Sequence, residues 1–302
     1  MVKGTRGKIR LLLDLMVKKI SFSVSVFTIL ILLLIICGLI IKSIPILQEY
    51  TISELLFASN WKPIQGKFGF ASFITGTIYV TVISCFLAVP LCLLVAIFLS
   101  EYCGKKLRSW IVPFIDILAG IPSVIFGIWG VIIIVPFIKN YLAPAFGYET
   151  TGYSLMAGGI VLSIMIFPIM IYVMYDVIRL VPLELREAAL SLGATKWETI
   201  KKIVLRKSLP GIIAAIVLGV SRAFGETIAV LMVVGNVAIM PDSLFSPAYP
   251  LPALIANNYG EMMSIPKYEA ALMFSALLLL IVVLIFNVTA YRVLKGIEKN
   301  IQ

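Results

Sequence analysis

LELREAALSLGATKWETIKKIVLRKSLP, residues Leu183–Pro210, is a charged island in an otherwise apolar chain, and it reads as two short helices joined at a glycine. Pro182 stands where a first helical residue tolerates the loss of its N–H, and Gly193 stands where a left-handed C-terminal cap is needed. The first helix is therefore expected over Pro182–Leu192. Thr195 opens the second. Its hydroxyl can accept from the Glu198 N–H while the Glu198 carboxylate reaches back to the Thr195 N–H, a capping box followed by an apolar run. Trp197, Ile200, Ile203 and Val204 fall on one face of this second helix, and Lys196, Lys201, Lys202 and Arg206 lie elsewhere. Periodicity alone would suit an ordinary loop of two amphipathic helices equally well.

The chain around this island has 302 residues, of which 61% are hydrophobic and only 13% charged, so the expected fold class is an all-α polytopic membrane protein. Working outward in both directions, six apolar runs are long enough to cross about 30 Å of hydrocarbon. They are expected at Phe22–Ile41, Phe73–Leu99, Trp110–Ile138, Leu155–Val177, Gly211–Gly235 and Glu269–Tyr291. Residues 1–21 form a basic N-terminal segment, and residues 22–302 form a single transmembrane domain. No A-x-A-like site follows the first run, which reads as a retained anchor. Within the third run, Pro122 between Gly120 and Gly127 breaks the backbone ladder, and such breaks persist in a membrane only where protein or a water-filled cavity satisfies the freed groups.

The net charge of +10 is explained by sidedness. With the N-terminus inside, 19 of the 25 lysines and arginines fall on inner segments, five on outer loops, and Arg222 remains within a span. Both termini and the island are thereby expected in the cytoplasm of a cell (inner or plasma) membrane, and no nucleic acid is needed to account for the charge. The absence of histidine, and four cysteines without ligand spacing, exclude a zinc centre and His-based catalysis, so neither a catalytic nor a metal site is expected.

Arg222 and Glu226 lie in the fifth run, SRAFGET. A charge at that depth costs about 2.5–3.5 kcal/mol on insertion scales and normally faces the bundle or a cavity. Four residues apart, the two side chains share a helix face and can pair. They read either as a buried ion pair that neutralises itself or as the charged lining of an anion pathway, for which the planar guanidinium fork suits a tetrahedral oxyanion. A carboxylate there would favour an oxyanion that keeps a proton, as phosphate does near neutral pH and sulfate does not. Thr227 and Ser123 are assigned to the same pathway. An ion-coupled secondary transporter would instead show inverted repeats around a midplane site, and a membrane enzyme would need a fuller constellation of reactive groups.

The spacing of Glu187, Ala188 and Ala189, then Gly193, then Ile203 and Leu205 resembles the EAA loop of the permease subunits of ABC-type importers. Arg206 stands where that family usually has proline, so the loop is expected to run on as helix. Three further stretches narrow the resemblance to the PstC-type subunit of the phosphate-specific importer: SNWKPIQGKFG (59–69), AGIPSVIFGIWG (119–130) and RAFGETIAVLMVVGN (222–236). The resemblance implies six spans with the type I importer permease core and cytoplasmic coupling helices. It implies ATPase coupling through Glu187, Ala188, Ala189, Gly193, Ala194 and Thr195. It also implies a PstA-type permease partner, a PstB-type ATPase homodimer carrying ATP and Mg, and a PstS-type phosphate-binding protein outside. The chain itself is expected to bind no cofactor and to be no enzyme, since it has no G-x-x-x-x-G-K-[ST] loop. An importer of another oxyanion, such as molybdate, sulfate or phosphonate, is the nearest alternative.

Overall fold

Six helices are long and apolar enough to cross a bilayer, as the six apolar runs require. The computed structural model describes residues 5–260 and 266–301. Residues 1–4 of the basic N-terminal segment and 261–265 of the last loop therefore lie outside the described residues.

The elements are, in chain order, α1 (Thr5–Glu49), α2 (Ile52–Phe57), β1 (Trp61–Lys62), β2 (Lys67–Phe68), α3 (Ala71–Tyr102), α4 (Lys105–Ala119), α5 (Ser123–Ala145), α6 (Leu155–Arg179), α7 (Leu183–Ser191), α8 (Lys196–Gly225), α9 (Ile228–Val233), α10 (Leu251–Asn258) and α11 (Pro266–Ile301). Helices α3 and α6 form the most extensive pair, and α8 packs on α6, α11 and α3. Helix α1 touches mainly α11, and its most apolar stretch has no buried residue, as befits a helix that faces lipid on nearly every side.

The first span is longer than its apolar run. Helix α1 continues through Lys42 and past Pro45 to Glu49, because this end is held from elsewhere: Ile46 is buried, Lys42 pairs with Glu269 at 2.9 Å, and Glu49 pairs with Lys267 at 2.7 Å. The short helix α2 follows, with Leu55 buried. Beyond it, β1 and β2 form a small antiparallel hairpin, with Trp61 opposite Phe68. Trp61 packs edge-on against Phe68, Phe70, Phe73 and Tyr268, with ring centroids 4.9–5.9 Å apart, and this aromatic cluster ties together the ends of α3 and α11. We call this the far end, opposite the elbow Leu183–Pro210.

Two span boundaries differ from expectation. The third region is two helices, α4 and α5, separated at Gly120–Pro122, and α5 passes Ile138 to end at Ala145. Wide π turns at Gly130–Ile134 and Ile138–Leu142 carry it there, loosening the helix where Pro136 and Pro144 would crowd the carbonyls of Ile132 and Asn140. The fifth span is broken before it reaches Gly235. Helix α8 starts in the elbow at Lys196, stops at Gly225, and α9 follows after a break.

Candidate functional site

Two places carry the residues singled out by sequence, the elbow and the broken spans at mid-depth.

In the elbow, Pro182 precedes α7 in extended conformation, and Gly193 follows it at φ +83° with nothing within 4 Å of where a Cβ would stand. Gly193 is thus required by the left-handed turn and not by crowding. The Gly193 N–H donates to the Leu190 carbonyl (3.0 Å) and the Ala194 N–H to that of Ala189 (3.1 Å), which closes the helix end. The expected capping box is formed: the Glu198 N–H donates to Thr195 Oγ1 at 3.3 Å and the Thr195 N–H to Glu198 Oε2 at 3.0 Å. Helix α8 then runs on through Arg206 and Pro210, as Arg206 in the place of proline led us to expect.

Glu187, Ala188, Gly193 and Thr195 are exposed, Ala194 is half-buried and Ala189 is buried. Ile200 and Val204 are buried and Ile203 is half-buried, but Trp197, expected on their face, is 52% exposed. Leu183, Leu190 and Leu192 are exposed too, Leu192 to 90%. Large apolar side chains left exposed in a charged segment mark a contact with another protein or with the membrane.

At mid-depth, the structure brings the two chain breaks together. Gly127 of α5 lies against Ala229 and Met232 of α9, where an added Cβ would fall 3.2 Å from Ala229 Cα and 2.6 Å from Met232 Sδ. Gly130 lies against Val233 and against Val161 of α6, at 2.8 and 2.6 Å on the same construction. The register advances together in both segments, so α5 and α9 are parallel, and Ser123 and Thr227, at their starts, stand at one level. The glycines are what let the segments approach. Replacing Gly130 by leucine is expected to lower thermal stability by about 1–3 kcal/mol through overpacking. Gly225→Ala, into open space, should leave stability unchanged, and melting of the purified protein in detergent checks both.

Gly219 of α8 packs on Met170 near the middle of α6, and Arg222 lies one turn further along. Arg222 is therefore at the centre of the membrane, yet it is exposed and takes part in none of the four ion pairs among the described residues. The pairing with Glu226 does not occur. Helix α8 ends at Gly225, Glu226 adopts extended backbone (φ −75°, ψ 125°), and its Oε1 accepts from the Ala229 N–H at 3.2 Å. The carboxylate caps α9 and leaves the arginine open on the surface of the chain. Thr227 is half-buried, and its hydroxyl donates weakly to the Gly225 carbonyl at 3.4 Å; Ser123 is half-buried at the start of α5.

One polar residue was missed. Asn287 of α11 accepts from the Ser221 hydroxyl at 2.6 Å, beside Arg222, and thereby ties α11 to the charged turn. An amide amid LLLLIVVLIFNVTA is a signal the sequence does carry. Asp116 is exposed in the last turn of α4. Among the described residues no cluster of three or more His, Cys, Asp or Glu side chains has metal-binding geometry.

Comparison with known proteins completes the description. The family model "Binding-protein-dependent transport system inner membrane component" matches residues 88–302. The phosphate transport system permease protein PstC of Pasteurella multocida is 32% identical over 303 residues, covering 96% of this chain and 94% of its own. The probable phosphate transport system permease protein PstC of Methanocaldococcus jannaschii is 32% identical, covering 92% of each. Among solved structures, a chain of the bacterial alginate ABC transporter in complex with alginate pentasaccharide-bound periplasmic protein superposes with TM-score 0.60 at 18% identity, over 95% of this chain and 99% of that one. A chain of the MetNI methionine ABC transporter in an inward-facing conformation gives TM-score 0.58 at 19% identity, over 79% and 99%. These two share the fold.

Proposed function

The chain belongs to the family of binding-protein-dependent transport system inner membrane components, and from that premise we propose that it is the permease subunit of an ATP-driven importer of inorganic phosphate. The observation that carries this reading is Arg222: a guanidinium at mid-membrane, exposed on the isolated chain and without an ion-pair partner among the described residues, beside a helix break on the chain's own surface. A charge so placed is tolerable only if another chain or a water-filled path adjoins it. A second permease facing this surface would enclose a pathway into which Arg222 presents its donors.

The protein is a multi-pass inner membrane protein, and the distribution of lysine and arginine supports an orientation with both termini and the elbow in the cytoplasm. There the exposed patch on α7 and the start of α8 is available to a pair of ATPase subunits. An extracytoplasmic phosphate-binding protein would deliver substrate at the far end. The chain hydrolyses no ATP itself: nucleotide and magnesium belong to the ATPase. Co-purification with that ATPase, followed by phosphate-stimulated ATP hydrolysis in vesicles containing the binding protein, tests the reading. A chain that transports phosphate alone would overturn it.

Glu226 supports phosphate over a fully ionised oxyanion. One carboxylate oxygen is occupied by the Ala229 N–H, which leaves the other to accept the proton of a phosphate held by Arg222. Glu226→Gln is expected to narrow the preference for phosphate over sulfate by about tenfold or more, the scale of one hydrogen bond to a charged group. Competition between the two anions for uptake measures it.

A further inference from the structure

Helix α3 ends at the elbow side in a π turn, Phe98–Tyr102, whose last carbonyls must find donors outside the helix. Two cations from two other elements supply them, and a third, from α7, holds the Glu101 side chain. Arg108 of α4 donates to the carbonyls of Ser100 and Cys103, each at 3.0 Å. Lys196, the first residue of α8, donates to the Glu101 carbonyl at 2.7 Å and lies 4.4 Å over the Tyr102 ring. Arg186 of α7 donates to Glu101 Oε1 at 2.9 Å and to the Ile178 carbonyl of α6 at 3.0 Å.

The pair Glu101–Arg186 differs from the other three ion pairs among the described residues. Its side chains are only 10% and 17% exposed, whereas each of the others contains a cation more than half exposed. Exposed pairs contribute little, but breaking a covered one leaves a charge without compensation. Both elbow helices therefore grip one residue, α7 through the Glu101 carboxylate and α8 through its backbone carbonyl. Neither grip was legible in the sequence, since 85 and 95 residues separate the partners.

We infer that Glu101 and Arg186 are positioning residues that carry a displacement of the elbow into α3, and through the α3–α6 packing into the bundle. This rests on the reading that the elbow docks on an ATPase. The force would thus enter the membrane through the second span as well as through α8, the span in which the elbow continues.

The test uses the complete transporter in lipid vesicles with its ATPase and binding protein. Glu101→Gln and Arg186→Gln are expected to retain the ATPase on co-purification and to retain its ATP hydrolysis, while phosphate taken up per ATP falls at least about fivefold, the lower end of coupling between linked sites. Glu101→Arg combined with Arg186→Glu should restore the ratio. Lys42→Gln, which removes an exposed pair at the far end, should leave it unchanged. An unchanged ratio in Glu101→Gln overturns the proposal, as does a fall matched by loss of the ATPase; if the exchanged pair fails to assemble, Glu101→Gln alone decides. A wild-type complex that binds no ATPase, or shows no ATP-driven uptake, overturns the underlying reading itself.

Discussion

Arg222→Ala is expected to lower ATP-driven phosphate uptake by about 10- to 100-fold, the range that follows from about 1.5–3 kcal/mol for a hydrogen bond involving a charged group. Assembly should survive. Arg222 is exposed and joins no ion pair among the described residues, so truncation leaves neither a cavity nor an orphaned carboxylate there. Glu226 keeps its role at the start of α9, because its partner is the Ala229 N–H and not the guanidinium. Arg222→Lys should recover part of the rate, since it restores the charge without the planar fork that engages two oxygens at once. Uptake into vesicles, set beside the amount of assembled complex, measures both. Uptake at the wild-type rate in Arg222→Ala would remove the arginine from the pathway.

Ala188→Arg is expected to abolish co-purification of the ATPase and to reduce uptake by about 30-fold or more, since an unpaired charge forced into an interface costs about 2–5 kcal/mol. Ala188 is exposed on α7 beside Glu187, and its smallness is of no use to the isolated chain. Ala189 provides the contrast: it is buried, so enlarging it should lower the stability of the permease itself before any partner is added. Measuring melting of the lone subunit alongside ATPase capture separates the two neighbours. If Ala188→Arg captured the ATPase normally, the docking face would have to lie elsewhere on the elbow.

The elbow was readable because its signals are local. Pro182, Gly193 and the Thr195–Glu198 reciprocity each act within four residues, and all three appear as expected. The break at Pro122 was readable for the same reason. The end of α8 was not. Gly211–Gly235 reads as one span with two charges in it, and the sequence does not show that the helix stops inside it, where Glu226 accepts from a backbone N–H of the next segment. The spacing of Arg222 and Glu226 predicts a pair on the premise of continuous helix, and the premise fails one residue before the glutamate. The remaining differences have partners distant in sequence. Lys42 and Glu49 extend α1 by pairing with residues 227 and 218 positions away, and Trp61 packs on Tyr268. Apolarity marks the hydrocarbon-crossing part of a helix and says nothing of how far its ends are carried by such contacts.

The aromatic cluster around Trp61 has a mechanical consequence. It pins one tip of α3 at Phe73, while Glu101 sits near the opposite tip of the same 32-residue helix, about 42 Å away at 1.5 Å per residue. If the elbow shifts as proposed, a rod pinned at one tip swings about that tip as a lever, so roughly half of a shift imposed at Glu101 would reach the depth of Arg222. The size of the movement proposed at Arg222 would then be set by the lengths of the two arms of α3.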